Sequence, residues 1–395
     1  MSTEPFLPFA LPEIGEEEIQ EVANCLRSGW LTTGPKTRQF ETDFEVMLNT
    51  ASGGVDAGKQ PVQAIAVNSA TAGLHLALEA IGIGPGDEVI VPANTYIASI
   101  LAVTENRLKP IFVEPDEGSY NLCPAKVRAA ITPRTKAIMP VHYGGLACDM
   151  DAILAIAKEH GLKVVEDAAH ALPTTWRGTL VGQLQSDVTV FSFYANKTIT
   201  TGEGGMAVTH DPALAQRMRT MRLHGMSRDA FDRFTSKTPA WYYEVVAPGF
   251  KYNMTDVAAA MGVEQLARLP QFVQRRQDLA TRYHDQLAPL PLTLPADAPH
   301  SDTHAWHLYV IRLRADAPLG RDEVIQALSD RGIGTSVHYV PLHRHPYWRD
   351  RYQLTPEMFP QADAAYQAMI SIPLFTAMGD SDQDRVIAAL HEVLG

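Results

Sequence analysis

The chain has 395 residues and a formal net charge of −12, with 46% hydrophobic and 20% charged residues. That composition excludes disordered and fibrous proteins. The acidic balance also argues against a general nucleic-acid or anionic-membrane binder, because phosphate attraction needs a basic face. At about 150 residues per domain the length allows two or three units. Three cysteines, Cys25, Cys123 and Cys148, are too few and odd in number for a disulfide framework, which fits a reducing cytoplasm. The opening Met1-Ser-Thr-Glu-Pro lacks a basic and apolar leader pattern. The longest apolar region, Ala64 to Gly84, is broken by Asn68, His75 and Glu79, so no membrane span is read.

In chain order, the Gly-rich stretch Ala51–Gln60 reads as a surface loop, and strand–helix alternation then runs from about residue 62 to 210. The strand candidates are Val62–Val67, Glu88–Val91, Pro110–Glu114, Ala137–Val141, Lys163–Glu166, Val188–Phe193 and Met206–Thr209. Several are continuous apolar runs, as strands covered on both faces require. Between them, Ala72–Ile81 carries apolar residues at helical spacing, and Asp151–His160 precedes Gly161, which suits a helix C-cap. The pattern is α/β with a mostly parallel sheet. Thr255–Leu287 reads as a helix interrupted at Pro270, and the prolines between Pro289 and Pro299 mark a loop. A strand Ala305–Leu313, a helix Arg321–Arg331, a strand near Thr335–Tyr339 and a helix Asp382–Leu394 make a compact α+β section. The chain thus divides into an N-terminal segment 1–34, a large domain 35–255 and a smaller C-terminal domain 256–395.

Two tempting motifs fail on context. Gly53-Gly-Val-Asp-Ala-Gly58-Lys59-Gln60 approaches a P-loop but has Gln where Ser or Thr should hold magnesium, and Pro61 where a helix should start. Gly82-Ile-Gly84-Pro-Gly86 runs from a helix into a strand, the reverse of a dinucleotide loop. His304 and His307, an i, i+3 pair on the expected strand, point to opposite faces, and no acidic or cysteine partner sits nearby at ligand spacing. No metal site is read.

The residues that converge lie at strand ends. Asp167 directly follows an apolar strand, at the sheet's carboxyl edge where ligands of open α/β folds bind, while Glu166 points the other way by alternation. A helix N-cap is the alternative role for Asp167. Lys197 follows a second strand, close enough in sequence to be one βα step from Asp167, so both face one cleft. Asn68-Ser-Ala-Thr71-Ala-Gly73 joins a strand to a helix, where free amides and the Thr71 hydroxyl make an anion site, with Thr71 as a plain N-cap the alternative. Tyr96 follows another strand and offers a ring for stacking on a flat ligand. A phosphate cradle, a carboxylate, an aromatic ring and a lysine are what pyridoxal 5′-phosphate (PLP) needs.

With those residues in place, the sequence resembles the DegT-type sugar-nucleotide aminotransferases, fold-type I PLP enzymes of the aspartate aminotransferase-like class. The resemblance covers nearly the whole chain. Its landmarks run from Ser28-Gly-Trp-Leu-Thr-Thr-Gly-Pro35 through Asn68–Gly73, Gly84–Pro92, Ile131–Ala137 and Val141-His-Tyr-Gly-Gly145. They continue through Glu166–Ala171, Phe191-Ser-Phe-Tyr-Ala-Asn-Lys197, Gly202–Gly205 and Gly249–Asp256. Within the family, His304-Ala-Trp-His-Leu308, Arg331–Thr335 and Ser371–Phe375 look most like the branch of UDP-4-amino-4-deoxy-L-arabinose–oxoglutarate aminotransferase. Tyr194 departs from it, standing where that branch has His, as does the loop before Pro61.

The resemblance implies that Lys197 attaches the cofactor through a Schiff base, Asp167 pairs with the pyridine nitrogen and His170 lies near the ring oxygen. It implies that Ala70, Thr71 and Ser192 hold the phosphate, Tyr96 stacks on the ring, and Asn253 reaches the phosphate from a partner subunit. Trp30, Tyr194, Lys251, His307, His338 and His343 match regions that meet substrate. It further implies a homodimer with shared sites and the N-terminal segment packed near them. L-glutamate is the donor, giving 2-oxoglutarate and pyridoxamine 5′-phosphate, and the acceptor is a UDP- or dTDP-linked 4-keto sugar. Amination at C3, or a non-catalytic sugar-nucleotide binder or regulator, is the alternative. Lys197 argues strongly against a PLP-dependent sugar dehydratase, since relatives of that kind carry His there.

Overall fold

The structure, a computed structural model, describes residues 5–51, 60–227 and 241–395. The Gly-rich stretch before Gln60 lies outside them. Two helices the periodicity did not reveal, α1 (Glu16–Ser28) and α2 (Pro35–Ala51), precede β1 (Gln63–Val67). Then follow α3 (Ala70–Ala80), β2 (Glu88–Pro92), α4 (Ile97–Glu105), β3 (Lys109–Val113), α5 (Pro124–Ala130) and β4 (Thr135–Ile138). They lead to α6 (Met150–His160), β5 (Lys163–Asp167), the short pair β6 (Thr175–Trp176) and β7 (Thr179–Leu180), β8 (Val188–Ser192), β9 (Gly205–Thr209) and α7 (Pro212–Met221).

Seven strands form one sheet in the order β1-β9-β8-β5-β4-β2-β3. Neighbours from β8 to β3 are parallel; β9 alone runs against β1 and β8. The apolar runs read from sequence are these strands, with α3 and α6 where expected, and Gly161 caps α6 at φ 64°. The fourth strand ends at Ile138, earlier than expected. Pro140 has no N–H to extend the ladder, and only its carbonyl bonds, to the Asp167 amide at 2.9 Å. The β1 edge is closed by side chains. Glu45 and Glu41 accept the Ala64 and Ala66 amides at 2.8 Å, while Arg219 and Arg222 donate to the same residues' carbonyls at 3.2 and 2.8 Å.

The remaining elements are α8 (Asp256–Leu287), β10 (Leu292–Thr293), β11 (Tyr309–Leu313), α9 (Arg321–Asp330), α10 (Pro346–Tyr352), α11 (Pro360–Ala368), β12 (Met369–Ile372) and α12 (Asp380–Leu394). A second sheet has the order β10-β11-β12.

Three expectations fail here, each for a physical reason. The long helix is not interrupted at Pro270. Pro270 lies on its exposed side, and its missing N–H removes a single bond, the one to the Leu266 carbonyl. The two halves of α8 are also tied to different cores. Ala259, Val263, Leu266 and Phe272 pack with Phe40, Phe44 and Phe193, whereas Leu279, Ala280, Tyr283 and Leu287 pack around Tyr309 and Ile370. The strand expected from Ala305 begins only at Tyr309. Before it, the Ala305 and Leu308 amides bond the Gly145 and Gly144 carbonyls at 3.1 and 3.2 Å, and Trp306 takes φ 45°. Finally, Thr335–Tyr339 forms no strand. Ser336 makes one isolated bridge, to Ser371, and the chain then turns away toward the large sheet.

The start of the N-terminal segment packs on the smaller sheet's unit, while Glu18 on α1 bonds Gln265 and Arg268 of α8. Leu7 exchanges backbone bonds of 2.8 Å with Gly332 and Gly334, and Phe9 lies 5.3 Å, ring to ring, from His338.

Candidate active site

At the carboxyl ends of the parallel strands lies a cavity of about 470 Å³. Ser69, Ala70, Thr71, Tyr96, Asp167, His170, Ser192, Tyr194, Lys197, His338 and Tyr339 line it. Nine of the residues named from sequence therefore meet in one place: the ends of β1, β2, β5 and β8, with the segments that follow them, deliver eight, and the 338–339 segment delivers His338.

One end of the cavity is the N-terminus of α3. The cap is Ser69, whose hydroxyl accepts the Ala72 amide at 3.1 Å, so Thr71 sits in the first turn and is not the N-cap. Intrahelical bonding begins with the Gly73 amide on the Ser69 carbonyl, which leaves the Ala70 and Thr71 amides without helical acceptors. Such a terminus favours an anion. It approaches this closely because β9 offers Gly205. A Cβ there would lie 2.7 Å from the Ala70 nitrogen and 2.8 Å from the Ser69 carbonyl carbon. Gly205→Ala must displace that turn. It is expected to cost roughly 1–3 kcal/mol of stability and to weaken PLP binding at least about tenfold through the lost amide geometry. A fluorescence titration with PLP checks this.

At the other end Asp167, 5% exposed, is no N-cap. Its Oδ2 accepts the Ser99 hydroxyl at 2.7 Å and its Oδ1 the Ala169 amide at 3.1 Å. Burial pushes its carboxyl up, opposed by those bonds and by the charge of Lys197. A cation placed against it would hold it ionised. Glu166 indeed points to the opposite face, bonded to His142 at 2.8 Å and Thr189 at 2.8 Å.

Lys197 Nζ lies 3.3 Å from His307 Nε2. Desolvation pulls its amine down to about 7; Arg276 acts in the same direction and Asp167 opposes. Burial first, then the Lys197 charge, push His170 and His307 well below the usual histidine value, and His338 falls to about 4 for the same reasons. His170 Nδ1 accepts the Gly144 amide at 3.2 Å, so its proton is on Nε2, which faces the Tyr339 hydroxyl at 2.9 Å. His304 and His307 part because the backbone turns at Trp306, not through strand alternation. His304 stacks on Trp306 at 3.8 Å and 6°.

Five residues named from sequence do not line this cavity within one chain; one of them, His307, lies behind Lys197. His343, 1% exposed, is stacked on Phe359 at 5.1 Å and bonded to Asp363 at 3.2 Å, so the substrate contact expected of it is not formed here. Trp30 donates to the Thr33 carbonyl at 3.2 Å, Asn253 to the Thr33 hydroxyl at 2.7 Å, and the Lys251 carbonyl takes the Asn68 amide at 3.3 Å. Ser99 and Tyr339 were missed. The spacing of Ser99 from Tyr96, three residues at a helix start, would have placed it on the same face; nothing local marks Tyr339.

A cradle of free amides at one end, a buried carboxylate at the other and a lysine of lowered basicity between them fit PLP. Residues 12–391 match the family described as DegT/DnrJ/EryC1/StrS aminotransferases. The chain belongs to that family. It is 46% identical over 391 residues to the spore coat polysaccharide biosynthesis protein SpsC of Bacillus subtilis (strain 168), covering 98% of this chain and 97% of that one. Among solved structures, the putative sugar aminotransferase Spr1654 of Streptococcus pneumoniae in its PMP form superposes with TM-score 0.89 at 34% identity over 98% of each chain. DesV of S. venezuelae, in complex with a ketimine intermediate, gives 0.85 at 36% over 98% of each. Spr1654 is also known in a PLP form. This member of the DegT/DnrJ/EryC1/StrS family is a PLP-dependent sugar aminotransferase of fold type I.

Proposed function

We propose that the enzyme moves the amino group of L-glutamate onto a UDP- or dTDP-linked 4-keto sugar. The products are 2-oxoglutarate and a 4-amino sugar for surface polysaccharide, lipopolysaccharide or a related glycan. The observation that carries this reading is the convergence of Lys197, Asp167 and the α3 N-terminus on one cavity. The likeness to SpsC, a spore coat polysaccharide biosynthesis protein, supports the glycan destination. Two chains complete each site. Trp30, Lys251 and Asn253 do not line their own chain's cavity, which suits contacts made across a dimer. The work is cytoplasmic, and no helix among the described residues is long and apolar enough to cross a membrane.

The Ala70 and Thr71 amides with the Thr71 and Ser192 hydroxyls would hold the cofactor phosphate, Tyr96 would cover the ring, His170 would serve the ring oxygen and Asp167 would pair with the ring nitrogen. Bound there, PLP supplies an aldehyde that condenses with amines and a cationic ring that accepts the electron pair of a breaking carbon–hydrogen bond. Lys197 would present the lone pair of Nζ to the substrate: it would accept the Cα proton of glutamate and hold it for return, and would act in the opposite sense at the sugar carbon. Because burial lowers its basicity, much of this amine is free of a proton at neutral pH.

PLP-loaded protein given glutamate and no sugar should release a single equivalent of 2-oxoglutarate per chain. The rate should rise as pH climbs through about 7, where Lys197 loses its proton. No 2-oxoglutarate from glutamate would overturn the donor assignment.

A further inference from the structure

The described residues leave one buried cation unexplained. Arg276, on α8, is 2% exposed, and among the described residues no carboxylate pairs with it. Its Nη1 donates to the Trp306 carbonyl at 3.0 Å and the Leu374 carbonyl at 3.3 Å, and its Nε has no partner. A guanidinium without a counter-ion is costly to bury, and replacing it with an apolar side chain would ordinarily favour the fold. Burial brings it down only to about 10, so it stays charged at neutral pH. The carbonyl it grips belongs to the residue before His307, whose Nε2 meets Lys197 Nζ at 3.3 Å and whose Nδ1 is buried without a partner.

We propose that Arg276 is a positioning residue for the Lys197 amine: it pins His307 against that amine and, as an unpaired buried cation, excludes a further proton from the Lys197–His307 pair. The inference rests on Lys197 being the reacting lysine of the proposed function. The groups around that amine make the argument specific. Asp167 at the end of β5 is the anion that favours a charged lysine, and Arg276 is the cation that opposes it. His170, His307 and His338 are held neutral by burial and cannot substitute for a fixed charge. Tyr339, in contact with His170, is pushed up by burial and stays a neutral phenol. Arginine suits this role, since its delocalised charge survives burial where a lysine or histidine would give up its proton.

The test follows acylation of Lys197 by acetic anhydride in the full-length, cofactor-free chain against pH, read by mass spectrometry. In the unaltered protein the midpoint should lie near 7. Arg276→Met should move it up by about one unit, so that labelling at neutral pH falls about fivefold. Arg276→Gln, which can still donate to the Trp306 carbonyl, should show the same shift and serves if the Met variant does not fold. An unchanged midpoint in the Met or Gln variant overturns the proposal. If the midpoints move as expected while glutamate yields no 2-oxoglutarate, the aminotransfer reading fails and the role of Arg276 stands.

Discussion

Replacing Lys197 with alanine is expected to lower turnover by at least about a thousandfold, because it removes both the amine that anchors the cofactor and the base that moves the proton. The fold should survive. Nζ bonds His307, and removing an amine whose basicity is already reduced by desolvation leaves no buried carboxylate stranded, since Asp167 keeps its bonds to Ser99 and Ala169. PLP should still bind through the α3 amides, now without covalent attachment. Borohydride should therefore fix the cofactor in the unaltered chain and not in the variant. The same variant tests the dimer. Mixed with Asn253→Ala chains, it should regain activity if the phosphate contact at each site comes from the partner, since one intact site then forms per hybrid. Absence of regain would place Asn253 outside the shared site.

Asp167→Asn is the second large loss, expected at about a hundredfold to a thousandfold in turnover, the range for deleting one preorganised electrostatic partner of the transition state. The amide has nearly the carboxylate's shape, and its oxygen can still accept from Ser99 or from Ala169. What goes is the negative charge. A neutral group cannot favour the protonated ring nitrogen, and the ring then accepts electrons poorly. Steady-state rates, together with the pH at which the bound cofactor's absorbance changes, separate this from a packing defect: a structural loss would lower cofactor occupancy and leave that pH unmoved. A variant with unchanged turnover would remove Asp167 from the chemistry.

The strands of the large sheet were legible because each is a short apolar run, buried on both faces, and such runs have few other ways to fold. Asp167, Lys197, Thr71 and Tyr96 were legible for a related reason: the residue just beyond such a run lands at the sheet's ligand-binding edge. Position alone left roles open, and Ser69, not Thr71, became the cap. Where partners are distant in sequence, local pattern gave no signal. Residues 305–308 look like the start of a strand, yet their amides are claimed by the Gly144–Gly145 turn, and that claim is what swings His307 onto Lys197. Arg276 reads as one of several arginines on an amphipathic helix. Its unpaired burial follows only from how α8 joins the two cores. His343 carried a substrate expectation through the family resemblance, and Asp363, twenty residues on, takes it instead.

The most direct measurement follows nitrogen itself. With PLP, ¹⁵N-labelled L-glutamate and a panel of UDP- and dTDP-linked 3-keto and 4-keto sugars, NMR of the products should show ¹⁵N bonded to C4 of a nucleotide-linked sugar, with 2-oxoglutarate formed in equal amount. Label appearing at C3 would contradict the regiochemistry, and 2-oxoglutarate without any labelled sugar would contradict the account as a whole.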